Sequence, residues 1–336
     1  MRRRVAAAAM AMLTLGASEV HAASQEADQW LERMTDALAT LNYDGLFTHG
    51  AATQSETMRI VHRVEGGRSL ERLVSLDGSG REIVRTPEEV HLYMPDRRVV
   101  LVEPRSDDGS LLRALPSPGP KLDASYALEL RKGNRMLGRE VRILDIRPRD
   151  AHRYGYRLWL DEQTAMPLRS EVRDGQGRAV EAIHFTRLEV KDRIDPRDLE
   201  PRVDTTGFQW IRAARRPEPR VVAEGWRPRK IPPGFKLVAT RVQVMPGVPM
   251  PVHHLIFSDG VASVSVFIEP GPAKGPVPPE STIVGSASAF SIQVGGHVVT
   301  AVGEVPAATV RDMATSLVPV EADLPPATPS QRPVDR

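Results

Sequence analysis

An α+β fold is predicted for this chain: a large curved antiparallel sheet packed on helices, followed by a smaller α+β C-terminal domain. Three observations carry that expectation. The stretch from Arg153 to Val190 alternates like a meander, a single helical stripe precedes a long series of short alternating runs, and a Pro- and Arg-rich segment interrupts the pattern before it resumes. In the meander, Tyr154, Tyr156, Leu158 and Leu160 alternate with Arg153, Gly155, Arg157 and Trp159, which is the period of a strand with two different faces. Pro167 opens a second run, in which Leu168, Ser170 and Val172 oppose Arg169, Glu171 and Arg173. Asp174-Gly175-Gln176-Gly177 then supplies residues that tolerate positive φ in a hairpin, and a third run begins at Arg178.

From the N-terminus, Arg2-Arg3-Arg4, an apolar run from Val5 to Gly16 and the small residues up to Ala22 read as a secretory signal, because the run is too short to span a bilayer. Residues 1–22 are therefore expected to be removed, and the protein to reside in the periplasm. Without them the chain loses three arginines and Glu19, and its formal net charge falls from +2 to 0. Global nucleic-acid binding loses its main support. With no cysteine among 336 residues, the exported chain relies on its cores alone.

Ser24 is placed to cap a helix with Trp30, Leu31, Met34, Ala37, Leu38 and Leu41 on one stripe, ending at Asn42. Alternating runs follow at Met58 to Val64, Leu70 to Leu76, Glu82 to Val84, Val90 to Met94 and Arg98 to Val102, separated by turn residues such as Gly66-Gly67 and Asp77-Gly78. Arg105 to Pro120 reads as a long loop, Asp123 to Lys132 as a short helix, and Gly138 to Ile146 as a return to the sheet. The expected division is a sheet domain over 23–203, a basic Pro-rich linker over 204–220, a smaller domain over 221–320 and a disordered tail over 321–336. In the smaller domain, Ser258-Asp259-Gly260 marks a hairpin, and Gly303 to Pro306 leads from a strand into a helix over Ala307 to Leu317.

Catalytic and metal chemistry find little footing. His253 and His254 are adjacent on a strand and point to opposite faces, so they cannot share a metal. Gly271 to Pro276 lacks phosphate-loop spacing, and no G-x-S-x-G elbow is present. No catalytic residue, metal ligand or cofactor site is assigned. Two sets of binding candidates remain. Tyr43, Phe47, Tyr93, Tyr154 and Tyr156 would line a greasy concavity for an acyl chain, against the plainer reading that they are core. Arg215, Arg216 and Arg220, with Trp226 and Phe235 beside them, would meet an acidic partner or anionic lipid, against the plainer reading of a solvated face.

The run Tyr156-x-Leu158-Trp159-x-Asp161-x-x-Thr164-x-x-Pro167-Leu168-Arg169, then Asp174-x-x-Gly177, resembles the sheet of periplasmic lipoprotein carriers, and more closely the MucB/RseB family of envelope-stress regulators. LNYDGLFTHG from Leu41 and the W-x-P-x-x-x-P-x-G-F pattern from Trp226 to Phe235 are similar to that family as well. The resemblance implies a lipoprotein-carrier-like first domain and a non-catalytic regulator. Such a regulator binds the periplasmic region of a RseA/MucA-like transmembrane anti-sigma factor through its second domain and shields it from site-1 proteolysis. A lipid such as lipopolysaccharide, or the acyl chains of a mislocalised lipoprotein, would release it. The resemblance leaves homo-oligomerisation open. A periplasmic lipid or lipoprotein carrier is the alternative, which the second domain argues against, and a hydrolase comes third. The Pro-rich C-terminal extension and the Arg-rich connection depart from the family pattern, so partner contacts there would be lineage-specific.

Overall fold

The computed structural model describes residues 25–51, 54–105, 122–213, 225–243, 251–271 and 277–320. Helix α1 covers 25–40 and turns one apolar face, Ala27, Trp30, Leu31, Met34, Ala37 and Leu38, into the main core. The chain then enters strands β1 (Tyr43–Ala51), β2 (Gln54–Glu65), β3 (Arg68–Ser75), β4 (Glu82–Arg85), β5 (Glu89–Met94) and β6 (Val99–Pro104). After the short helix α2 (Leu122–Ser125) come β7 (Tyr126–Lys132), β8 (Val141–Pro148), β9 (Gly155–Asp161), β10 (Pro167–Arg173) and β11 (Ala179–Val190). Strand β12 (Gln209–Arg212) completes a 12-stranded sheet in the order β12-β6-β5-β4-β3-β2-β1-β11-β10-β9-β8-β7. The first strand thus lies in the middle. One half of the sheet grows outward from β1, and the other starts at the far edge and returns to close on it, Tyr43 facing Val190.

Two expectations change here. Tyr126 to Lys132, read within a short helix, is an edge strand paired along its length with β8, because Tyr126, Leu128 and Leu130 fit the sheet's period of two and pack on its core. The large sheet also extends past residue 203, since Gln209–Arg212 pairs in parallel with β6 inside the segment read as linker. The signal, the loop after Arg105, Arg215, Arg216 and Arg220, and the tail from Glu321 lie outside the described residues.

The second domain has a six-stranded antiparallel sheet built from β14 (Lys236–Gln243), β15 (Val252–Ser258), β16 (Ser263–Pro270), β17 (Glu280–Val284), β18 (Ala287–Val294) and β19 (His297–Gly303), in the order β14-β15-β16-β19-β18-β17. A short pair, β13 (Trp226–Pro228) with β20 (Leu317–Pro319), lies beside it. Helix α3 (Ala307–Ser316) covers one face through Val310, Met313 and Ala314, which pack on Leu255, Val264, Val266, Phe290 and Val299. The architecture is sheet-dominated α+β, as the alternation of the sequence predicts.

Candidate functional site

Strand register decides which aromatic residues share a face. Tyr156 faces Val172, Val172 faces Glu181, Ile183 faces His49, and Phe47 lies two residues before His49. Tyr156, Phe47 and Tyr43 therefore lie on the same side of the sheet, the side that α1 covers. Tyr43, Phe47, Tyr154 and Tyr156 belong to one core cluster and are between 0% and 8% exposed. Tyr93 does not join them. It faces Glu82 and Val100 on the opposite side, in a separate cluster with Val102, where its ring meets Trp210 edge-on at 6.3 Å.

The shared face is not uniformly greasy. At one end Tyr43 stacks on buried His62 at 4.7 Å, and His62 faces Glu71, which faces Arg85. Burial holds the His62 imidazole below its ordinary pKa despite Glu71 beside it. At the other end, the opposite face of the same strands carries an open groove of about 350 Å³ walled by Arg147, Arg157, Arg173, Asp145 and Asp174, behind the buried Tyr156.

The Tyr156 end of the shared face is met by the C-terminal domain, where Thr309 Oγ1 donates to the His152 carbonyl at 2.8 Å and two polar clusters join the domains. The first centres on Arg153, whose side chain is 0% exposed. Its Nη1 donates to Asp259 Oδ2 at 2.5 Å, its Nε donates to Asp150 Oδ1 at 3.1 Å, and its Nη2 donates to the Pro233 carbonyl. The guanidinium lies 5.0 Å from the Phe235 ring centre and 5.6 Å from that of Tyr126. The Tyr126 hydroxyl also donates to Asp259 Oδ2, at 3.2 Å, and burial together with that carboxylate pushes its ionisation far above the usual tyrosine range. Asp259 is held in place by its own turn, since its Oδ1 accepts the Val261 and Ala262 amides at 2.9 and 2.7 Å. Gly234 passes this point at φ +83, and a Cβ there would sit 2.7 Å from Ser125 Oγ. Both constraints demand glycine.

The Trp226 to Phe235 pattern thus gains a physical account: its Gly-Phe end forms half of the socket for Arg153. Trp226, 4% exposed, packs in the second-domain core and edge-on against His297 at 5.1 Å. Phe235, 5% exposed, lies under the guanidinium. Both were expected on a partner-facing surface, and both turn their rings inward, because aromatics flanking tight turns serve the local core first.

The second contact runs through Glu181 on β11. Its Oε1 lies 2.5 Å from His49 Nε2, and its Oε2 accepts the Ser286 amide of the β17–β18 turn at 2.8 Å. Hydrogen bonding from His49, opposed by burial and aided by Ser286, lowers the Glu181 carboxyl to about 2. None of Arg153, Asp259, His49 and Glu181 was singled out from the sequence as functional. No group of His, Cys, Asp and Glu among the described residues has the arrangement of a metal site.

Known proteins match this chain in two stretches. Residues 26–203 match the family model described as MucB/RseB N-terminal domain, and residues 220–318 match the MucB/RseB C-terminal domain. The sigma factor AlgU regulatory protein MucB of Pseudomonas aeruginosa is 34% identical over 325 residues, covering 93% of this chain and 97% of that protein. The sigma-E factor regulatory protein RseB of Haemophilus influenzae is 24% identical over 90% of this chain and 94% of its own. Among solved structures, the complex of P. aeruginosa MucA/MucB aligns with a TM-score of 0.70 at 31% identity, over 88% of this chain and 100% of that one. A crystal structure of MucB aligns over the same 88% of this chain and 98% of its own, with a TM-score of 0.60 at 29% identity.

Proposed function

The chain belongs to the MucB/RseB family, and from that premise we propose that it is a non-catalytic periplasmic regulator that binds the periplasmic region of a transmembrane anti-sigma factor. The observation that carries this reading is the match along both domains to a sigma factor regulatory protein, together with the likeness to MucB in complex with MucA. Bound, the protein shields that region from site-1 proteolysis. A lipid or lipoprotein acyl chain that binds the free form better than the complex draws the protein away, shifting the equilibrium by its differential affinity. The acyl chain reaches Tyr43, Phe47, Tyr154 and Tyr156 by displacing what covers their face.

Titration of the exported protein with a purified periplasmic fragment of an anti-sigma factor tests the first step. Saturable one-to-one binding supports it, and no binding while lipid is still taken up points to a carrier instead. The same titration tests the basic connection. Changing Arg215, Arg216 and Arg220 together to Gln is expected to weaken binding and to flatten its dependence on salt, because screened charges steer association. Unchanged affinity and unchanged salt slope would show that these arginines face only water.

A further inference from the structure

The tip of the β15–β16 hairpin belongs to both domains. Ala262 packs in the second-domain core, while Val261 beside it packs against the first-domain core that holds Tyr43, Phe47, Tyr154 and Tyr156. Asp259, two residues before Val261, reaches the same domain with its carboxylate, which accepts from Arg153 Nη1 at 2.5 Å and from the Tyr126 hydroxyl at 3.2 Å. Register puts Tyr126 on the face of Ile146 and Tyr156, so the turn meets that side of the sheet. The tip therefore shows the first domain an anionic group with an apolar one behind it. We propose that this turn is a built-in stand-in for an anionic amphiphile, and that a ligand with a carboxylate or phosphate head and an acyl chain binds by replacing it, its head on Arg153 and its chain in the place of Val261. The inference rests on the reading that a lipid releases the protein, and adds where the head sits and what the lipid must displace.

The parts divide cleanly at the junction. Arg153 and its second carboxylate, Asp150 at 3.1 Å, are both first-domain residues, so the guanidinium stays anchored when the turn leaves. The turn keeps its own shape, because Asp259 Oδ1 accepts the Val261 and Ala262 amides and Ser258 Oγ donates to the Ala262 carbonyl at 2.9 Å. Withdrawal breaks none of these bonds. Thr309 with the His152 carbonyl, and the Ser286 amide with Glu181, add one hydrogen bond each to what must yield.

What the turn leaves behind selects the ligand. Once the second domain withdraws, Arg153 loses the Asp259 carboxylate and the Pro233 carbonyl as acceptors, and the Phe235 ring, 5.0 Å from the guanidinium, departs with them. That opens the side from which a head group enters. A carboxylate or phosphate restores the lost bonds through the forked geometry that a guanidinium favours, beside an apolar face where such a pair is strengthened. A neutral lipid fills the place of Val261 alone and leaves Arg153 without its anion.

The test titrates the full-length exported protein with cis-parinaric acid, an acyl chain that fluoresces in an apolar site, and with its methyl ester as the neutral control. The acid is expected to bind more tightly than the ester. Asp259→Asn weakens the stand-in while keeping an oxygen for the Val261 and Ala262 amides, and is expected to tighten binding of both probes about ten-fold, because the closed form competes less. Val261→Ser removes the apolar half and acts in the same direction. Arg153→Met combined with Asp259→Asn is expected to bind acid and ester alike. Spin labels on Gln176→Cys and Ser281→Cys, exposed positions one in each domain of a chain without cysteine, are expected to move apart as the acid binds. Wild-type affinity for both probes in Asp259→Asn and Val261→Ser overturns the stand-in and leaves lipid release standing, as does acid binding at an unchanged label distance. Equal affinity of the wild type for acid and ester overturns the head site at Arg153. If no protein of the set binds either probe, the lipid reading falls together with this one.

Discussion

Replacing Arg153 with alanine is expected to uncouple the two domains and to cost about 3–5 kcal/mol, the usual penalty for stranding one member of a buried ion pair. Asp259, whose side chain is 0% exposed, would keep a carboxylate with no cation beside it, and the Pro233 carbonyl would lose its donor. Calorimetry should then show two separate transitions at reduced temperature, one for each core. Arg153→Lys should rescue little, because an ammonium cannot reach Asp259, Asp150 and the Pro233 carbonyl together as the planar fork does. Arg153→Met combined with Asp259→Asn should recover part of the loss, since both charges go together while the Asn side-chain oxygen can still accept the Val261 and Ala262 amides. If Arg153→Ala melts like the wild type in a single transition, the junction is not what joins the domains.

Tyr156→Asp should be nearly as damaging. Tyr156 is 5% exposed in the main core, and its hydroxyl ionises well above the usual tyrosine range because of burial and the nearby carboxylates of Glu304, Asp259 and Glu181. A new carboxylate would enter a space where burial and charge both oppose it, at a cost of several kcal/mol. Circular dichroism and urea titration should report a protein far less stable than the wild type. Tyr156→Phe keeps the ring and is the variant for examining lipid response. A Tyr156→Asp protein that is folded and as stable as the wild type would mean that this position opens to water.

The meander was legible because each strand alternates cleanly and each turn carries its own residues: Asp161 caps one, and Asp174 to Gly177 forms the next. Strand β7 was not, because Leu128, Glu129, Leu130 and Arg131 favour helix, and only pairing with β8 overrides that preference. The face occupied by Tyr93 could not be read either. It depends on parity carried through β2, β3 and β4, and one residue more or less in any hairpin reverses the outcome. The interdomain site was hidden for a different reason. Arg153 and Asp259 are 106 positions apart, each sits among ordinary turn residues, and neither has a local pattern that names the other.

The placement of β1 in the middle of the large sheet constrains the order in which the chain acquires its structure. As the chain is made from its N-terminus, β1 to β6 can pair by successive hairpins, but the other side of β1 waits for β11, its partner through contacts such as Tyr43 with Val190. Until some 150 further residues have arrived, a hydrogen-bonding edge at the future centre of the sheet stays open, flanked by apolar Leu46 and Phe47. Assembly is thus limited by closing one long loop rather than by forming any single hairpin, and the half-built molecule is the form most exposed to aggregation.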